Sequence, residues 1–209
     1  GGTNTYKAGQ YSSIGVTPDG TVAVIAWYDA TNRKLIFSYN TDPTGATSAP
    51  QWQTNAEIID SDFSGWFVDM VVDDLGGIHI AYYNSSNGDL RYAYKSAYDQ
   101  PATTVTVDSF LAVGTNISVT YKVSGANRIP YISYYMSSFT ATSFSVRTAW
   151  LNGTLGNGVI NDQYTGNWEI QTIPTANIPK DFNVGIGIKS NMPIIGYATT
   201  SNLETAQLK

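Results

Sequence analysis

The 209-residue chain contains no cysteine, which excludes disulfides, thiolate metal sites and a cysteine nucleophile. Its one histidine, His79, excludes multi-histidine metal centres and leaves any Ser-His-Asp triad dependent on that single residue. Charge is scarce. Only 13% of residues are Asp, Glu, Lys or Arg, about half the usual share, so the polar surface must be built from Ser, Thr, Asn, Gln and Gly. Eleven basic residues stand against sixteen acidic ones, scattered singly apart from Arg33-Lys34. With no basic stripe to collect phosphates, nucleic acid is not an expected partner. No run approaches the roughly 20 apolar residues of a membrane-spanning helix, and capped helical periodicity is missing throughout. The charge-poor, hydroxyl- and amide-rich surface suits an extracellular or cell-surface protein. The opening Gly1-Gly2-Thr3, without methionine, reads as a mature product, a fragment or an expression product.

What the chain does have is repetition. Val71-Val72-Asp73-Asp74-Leu75-Gly76-Gly77 followed by Ile78-His79-Ile80-Ala81-Tyr82-Tyr83-Asn84 and Leu90-Arg91-Tyr92-Ala93-Tyr94 recurs in weaker form. One copy runs Ile14 to Tyr39, another Ile129 to Trp150, and a short one begins at Val184. Aligning the Tyr-Tyr strand gives columns: Ile25, Ile80, Ile132 and Ile195; Ala26, Ala81, Ser133 and Gly196; Trp27, Tyr82, Tyr134 and Tyr197. Side chains alternate between the two faces of a strand, and here both sets are apolar or small, so the strand is expected to be covered on both sides. Repeats of about 50 residues, each with several short strands, describe the blades of a β-propeller. The expected architecture is all-β: a propeller of about four repeats, four-bladed or part of a larger ring. Its repeats fall at approximately 11–60, 66–108, 115–174 and 181–209 within one domain spanning 1–209. Residues 1–7 could supply the outer strand that the last repeat lacks and close the ring.

Few residues invite chemistry. His79 shares a column with Val24, Tyr131 and Ile194, so a packed, hydrogen-bonded histidine is expected, as is core packing for Trp27. Asp60, Asp62, Asp69, Asp73 and Asp74 cluster in the second repeat. Oxygen-rich clusters can hold Ca²⁺, but the spacing matches no Ca²⁺ loop and turn capping is the simpler role, so no cofactor is expected. Glycoside hydrolysis needs two carboxylates about the scissile bond, and the three glutamates do not supply a pair near a propeller mouth. Asn84, Asn116 and Asn152 begin N-x-Ser/Thr triplets. Fifteen tyrosines, seven phenylalanines and five tryptophans are the richer set. Tyr28, Tyr83 and Tyr135 end the second strands and are followed by Asp29, Asn84 and Met136. Rings beside Asp or Asn suit sugars, which stack through C–H faces and hydrogen-bond through hydroxyls. Tyr28, Asp29, Tyr83, Asn84 and Tyr135 are therefore the candidate ligand-binding residues; the alternative is that these rings fill the wedge between blades.

The string Val72-Asp73-Asp74-x-Gly76-x-x-His79-Ile80-x-Tyr82-Tyr83, continuing to Ala93, resembles repeats of bacterial secreted and surface β-propellers of the sialidase-like type. The resemblance is strongest over 14–39 and 66–95 and weakens after 182. It implies the fold and a surface location. It does not bring a catalytic set: the Asp-Gly turns here join first and second strands, no Ser-x-Asp-x-Gly-x-x-Trp box is present, and Arg33, Arg91, Arg128 and Arg147 are not placed as an arginine triad. Propeller lectins of fungi and bacteria are a second likeness, without their sugar-clamping Arg/Glu/Trp set. The expected function is non-catalytic recognition or adhesion, binding a glycan or a surface protein. Alternatives are a structural subunit that self-associates through an unpaired terminal strand, and a sialidase-like hydrolase.

Overall fold

The computed structural model describes residues 8–42, 45, 52, 55–137, 144–151, 168–173, 183–198 and 203–208. The segment 1–7 expected to close a ring, Asn152, and most of the loops at 42–50 and 151–164 lie outside them. The described residues form fifteen strands in four antiparallel meanders. Sheet 1 comprises β1 (Ala8–Val16), β2 (Ala23–Asp29), β3 (Lys34–Asn40) and β4 (Glu57–Asp60). Sheet 2 comprises β5 (Ser64–Val72), β6 (Ile78–Asn84), β7 (Asp89–Lys95) and β8 (Thr103–Asp108). Sheet 3 comprises β9 (Ala112–Ser124), β10 (Asn127–Ser137), β11 (Phe144–Leu151) and β12 (Trp168–Ile173). Sheet 4 has three strands, β13 (Val184–Lys189), β14 (Met192–Ala198) and β15 (Leu203–Gln207).

The sheets stack like propeller blades. First strands are innermost, with β1 against β5, β5 against β9 and β9 against β13. Asp69 on β5 stitches three of them, accepting from the Ser13 hydroxyl of β1 at 3.0 Å and from the Val119 N–H of β9 at 2.9 Å. Each sheet thus has a leading face toward its predecessor and a trailing face toward its successor. The trailing face of sheet 1 (Val24, Ala26, Phe37) meets the leading face of sheet 2 (Met70, Ile80, Tyr82) in one buried cluster. Ala81, Leu90 and Tyr92 of sheet 2 meet Ile132, Tyr134 and Ala149 of sheet 3 in a second. Tyr131 and Tyr135 of sheet 3 meet Val184, Ile195 and Tyr197 of sheet 4 in a third. The hydrophobic core is therefore three layers between sheets. The small-residue column explains the close approach: Ala26, Ala81 and Ser133 are wholly buried on trailing faces, where a larger side chain would hold the next sheet away.

Ile80, Tyr82, Ile132 and Tyr134 are completely buried, as the doubly covered strand requires. Trp27 departs from expectation. It is half-buried, as are Ile25 and Ile36, because no sheet of the described structure covers the leading face of sheet 1.

A recurring bulge shapes the inner strands. Gly9, Gly65 and Gly114 all have positive φ (87°, 111° and 97°) and are followed two residues later by Tyr11, Phe67 and Asn116, also in the left-handed region. Register shifts mark each site, as expected where an extra residue interrupts a ladder. Glycine is needed twice over at two of them. A Cβ on Gly65 would lie 3.1 Å from the Leu35 Cα, and one on Gly114 2.9 Å from the Leu90 Cα. Both are backbone atoms of the preceding sheet.

Candidate functional site

Antiparallel meanders place the β2–β3 and β6–β7 turns, the 61–63 and 109–111 connectors and the starts of the inner strands at one end of the blades. All five candidate ligand residues belong to this end, yet three of them are buried. Tyr28 packs edge-on against Trp66 at 5.8 Å. Tyr135 sits in the layer between sheets 3 and 4. Asn84 is fully buried, donating to the Asp62 carbonyl at 2.8 Å and the Ser64 hydroxyl at 3.1 Å and accepting from the Ser86 and Asn87 N–H groups. Asp29 caps its own turn, accepting from the Thr31 and Asn32 N–H groups and the Asn32 amide; those donors lower its carboxyl against the opposing effect of burial. Tyr83 is half-buried beside Phe67, 6.3 Å between centroids. Burial, then the Asp89 charge, raises its hydroxyl above the usual tyrosine value.

The rings that do reach solvent come from positions the second-strand pattern did not indicate. Tyr11, Phe63 and Phe110 are exposed. Tyr11 lies 4.7 Å from Phe67 and 6.1 Å from Trp66, continuing a run of rings through Tyr28 and Tyr83 that spans sheets 1 and 2. Phe63 carries the Arg33 guanidinium 4.6 Å above its centroid, and Phe110 carries that of Arg147 at 5.5 Å. These rings are held, not loose. Tyr11 and Phe63 have φ of 49° and 48°, a conformation bulky residues adopt only when their surroundings impose it. The Phe63 carbonyl accepts from both the N–H and the hydroxyl of Ser85, at 3.0 and 3.1 Å. The Asp62 carboxylate accepts from the Ser86 hydroxyl at 3.0 Å. A sequence signal existed: Asp60-Ser61-Asp62-Phe63 and Asp108-Ser109-Phe110 repeat an Asp-Ser start and an aromatic in both connectors.

Just beneath the exposed rings is a repeated charge clamp. At the end of β4, Asp60 accepts from the Tyr82 hydroxyl at 2.8 Å and from Arg91 at 2.5 Å, both on the next sheet. At the end of β8, Asp108 accepts from Tyr134 at 2.6 Å and Arg147 at 2.5 Å, again on the next sheet. Burial, reinforced by the adjacent carboxylate, holds the Tyr82 and Tyr134 hydroxyls well above their ordinary pKa, so both remain donors. The buried Lys95 adds a further cross-sheet bond to Glu57 and lies 4.8 Å above the Phe37 ring. In sheet 4, Glu204 occupies the arginine position opposite Tyr197 and accepts from its hydroxyl at 3.0 Å.

The acidic cluster of the second repeat is dispersed among separate tasks. Asp60 clamps, Asp62 braces a connector and Asp69 joins inner strands. Asp74 forms a two-point pair with Arg128 at 2.6 Å. Asp73 accepts from the Leu75 and Gly77 N–H groups and contacts His79 Nε2 at 3.1 Å. His79 is buried with both nitrogens engaged, its Nδ1 lying 2.6 Å from the Tyr92 hydroxyl. Among the described residues no group of three His, Cys, Asp or Glu could hold a metal ion, and no helix is long and apolar enough to cross a membrane.

No protein-family model matches the chain, and no curated protein does. Among solved structures, the crystal structure of an exo-1,5-alpha-L-arabinanase from a bovine ruminal metagenomic library is similar at 7% identity, over 98% of this chain and 94% of that chain. Its TM-score is 0.35, a value at which the likeness carries no argument about chemistry.

Proposed function

We propose that the chain is a non-catalytic recognition module of the cell exterior that binds glycans at the blade end bearing Tyr11, Phe63 and Phe110. The observation that carries this reading is a set of solvent-facing rings on backbone fixed in advance. A preformed aromatic surface loses little conformational entropy on binding, and sugar C–H faces stack on such rings. Tyr83 and the Asp29 turn flank the same end and offer hydrogen-bonding groups for sugar hydroxyls. Carboxylate chemistry favours binding over hydrolysis. Asp29, Asp60, Asp62 and Asp108 each already accept hydrogen bonds from their own chain, which leaves Asp89, its carboxyl pushed up by burial, without, among the described residues of this end, the second uncommitted carboxyl that a glycosidase pair needs.

Glycan-array binding tests this, followed by calorimetry on the best ligand. Tyr11→Ala and Phe63→Ala should each weaken binding by roughly 1 kcal/mol or more, as expected for a lost aromatic contact. Tyr135→Phe, inside the sheet 3–sheet 4 layer, should leave affinity unchanged. Absence of glycan binding together with turnover of a chromogenic glycoside would replace this reading with the hydrolase one.

A further inference from the structure

The three internal junctions share a buried apolar layer between a trailing and a leading face, and the first and last described sheets each carry one such face that no described sheet covers. On the leading face of sheet 1, Ile14, Val16 and Ile58 are 67%, 51% and 55% exposed, where the same face of sheets 2 and 3 is sealed. Apart from Asp29 and Lys34, paired with each other at its rim, the registers place no charged side chain on this face of β1 to β4. Its second- and third-strand partners are Trp27 and Ile36, where sheets 2 and 3 have Tyr and Arg awaiting a carboxylate. Gly9 has the left-handed backbone of Gly65 and Gly114, but nothing lies within 4 Å of where its Cβ would be. The face is a junction half whose complement brings no carboxylate.

The trailing face of sheet 4 is such a complement. Gly196 stands in the small-residue column and pairs with Gly185, while Gly187 pairs with Ile194. A Cβ on any of the three glycines would meet nothing within 4 Å. A depression of about 350 Å³ lined by Lys189, Ile194, Thr205 and Gln207 opens on this side. No described strand follows β15 in sheet 4, so no described residue stands where Asp60 and Asp108 stand. One end offers protruding apolar side chains without polar needs; the other offers a glycine trough without a carboxylate.

We infer that copies of this chain associate head to tail, the trailing face of sheet 4 in one copy covering the leading face of sheet 1 in the next. The contact continues the internal junction type between molecules. It is heterologous, so it yields a closed ring or an open polymer according to the rotation it imposes.

The absence of native cysteine makes the test clean. Ile14→Cys and Gly187→Cys are introduced in separate copies, mixed and oxidised. The expected result is a mixed disulfide dimer in excess of either homodimer. Wild-type protein in sedimentation velocity should gain mass with concentration, and Ile14→Glu should weaken that association at least about tenfold with its circular dichroism and melting unchanged. Monomer at every concentration would overturn the proposal. So would dominant Ile14→Cys homodimers, or a double variant that cross-links only within one chain.

Discussion

Gly9, Gly65 and Gly114 occupy one structural position in three sheets, and replacing each by alanine separates two costs. All three share positive φ, so the left-handed penalty of about 1–2 kcal/mol applies to each. Only Gly65 and Gly114 also back onto another sheet, with the Leu35 and Leu90 Cα atoms at 3.1 and 2.9 Å from the new Cβ. Backbone cannot swing aside, so the sheets must part, an overpacking cost of about 1–3 kcal/mol. Gly9→Ala should therefore cost about 1–2 kcal/mol and Gly114→Ala about 2–5 kcal/mol. At roughly 2–4 °C per kcal/mol for a chain of this size, melting followed by circular dichroism resolves the difference. Equal losses at Gly9 and Gly114 would refute the claim that one faces solvent and the other a neighbouring sheet.

Other consequences can be checked in parallel. Asp73 is held below the ordinary aspartate value: burial pushes it up, but the His79 hydrogen bond and charge and two backbone N–H groups outweigh that. A depressed folded-state pKa contributes stability above the unfolded value that is lost as pH falls through the folded one. Acid titration of stability should thus be steeper below about pH 4 in wild type than in Asp73→Asn; parallel profiles would remove the Asp73 contribution. Phe110→Ala should lower glycan affinity with little change in melting, since its ring is exposed, and an unchanged affinity would exclude sheet 3 from the binding surface. Asp74→Ala, breaking a two-point pair whose carboxylate is half-exposed, should cost no more than about 1 kcal/mol in urea unfolding.

The sequence made the second strands legible because their columns repeat with period two and their neighbours are local. Arg33 and Gly88, in the turns between second and third strands, take positive φ. Long-range devices were hidden. Asp60 lies 22 residues from Tyr82 and 31 from Arg91, and no single repeat contains the clamp. It becomes visible only when Asp60 with Asp108, and Arg91 with Arg147, are read as offset columns between successive repeats. The bulges at Tyr11 and Phe67 were equally obscure, because an aromatic residue with positive φ is imposed by tertiary packing and has no local signature. Tyr28 and Tyr135 looked like surface plates because a trailing face reads as an outer column until the next sheet is laid on it. The open leading face did leave a trace, Trp27 and Ile36 interrupting the Tyr and Arg columns.

The most direct test of radial stacking is a double-mutant cycle across the sheet 2–sheet 3 junction, combining Asp108→Asn with Tyr134→Phe and measuring unfolding in urea. Residues 26 apart on different sheets should show a coupling of about 1 kcal/mol or more, as hydrogen-bonded buried neighbours do. Additive losses would mean that Asp108 and Tyr134 do not meet, and that the sheets are not arranged as described.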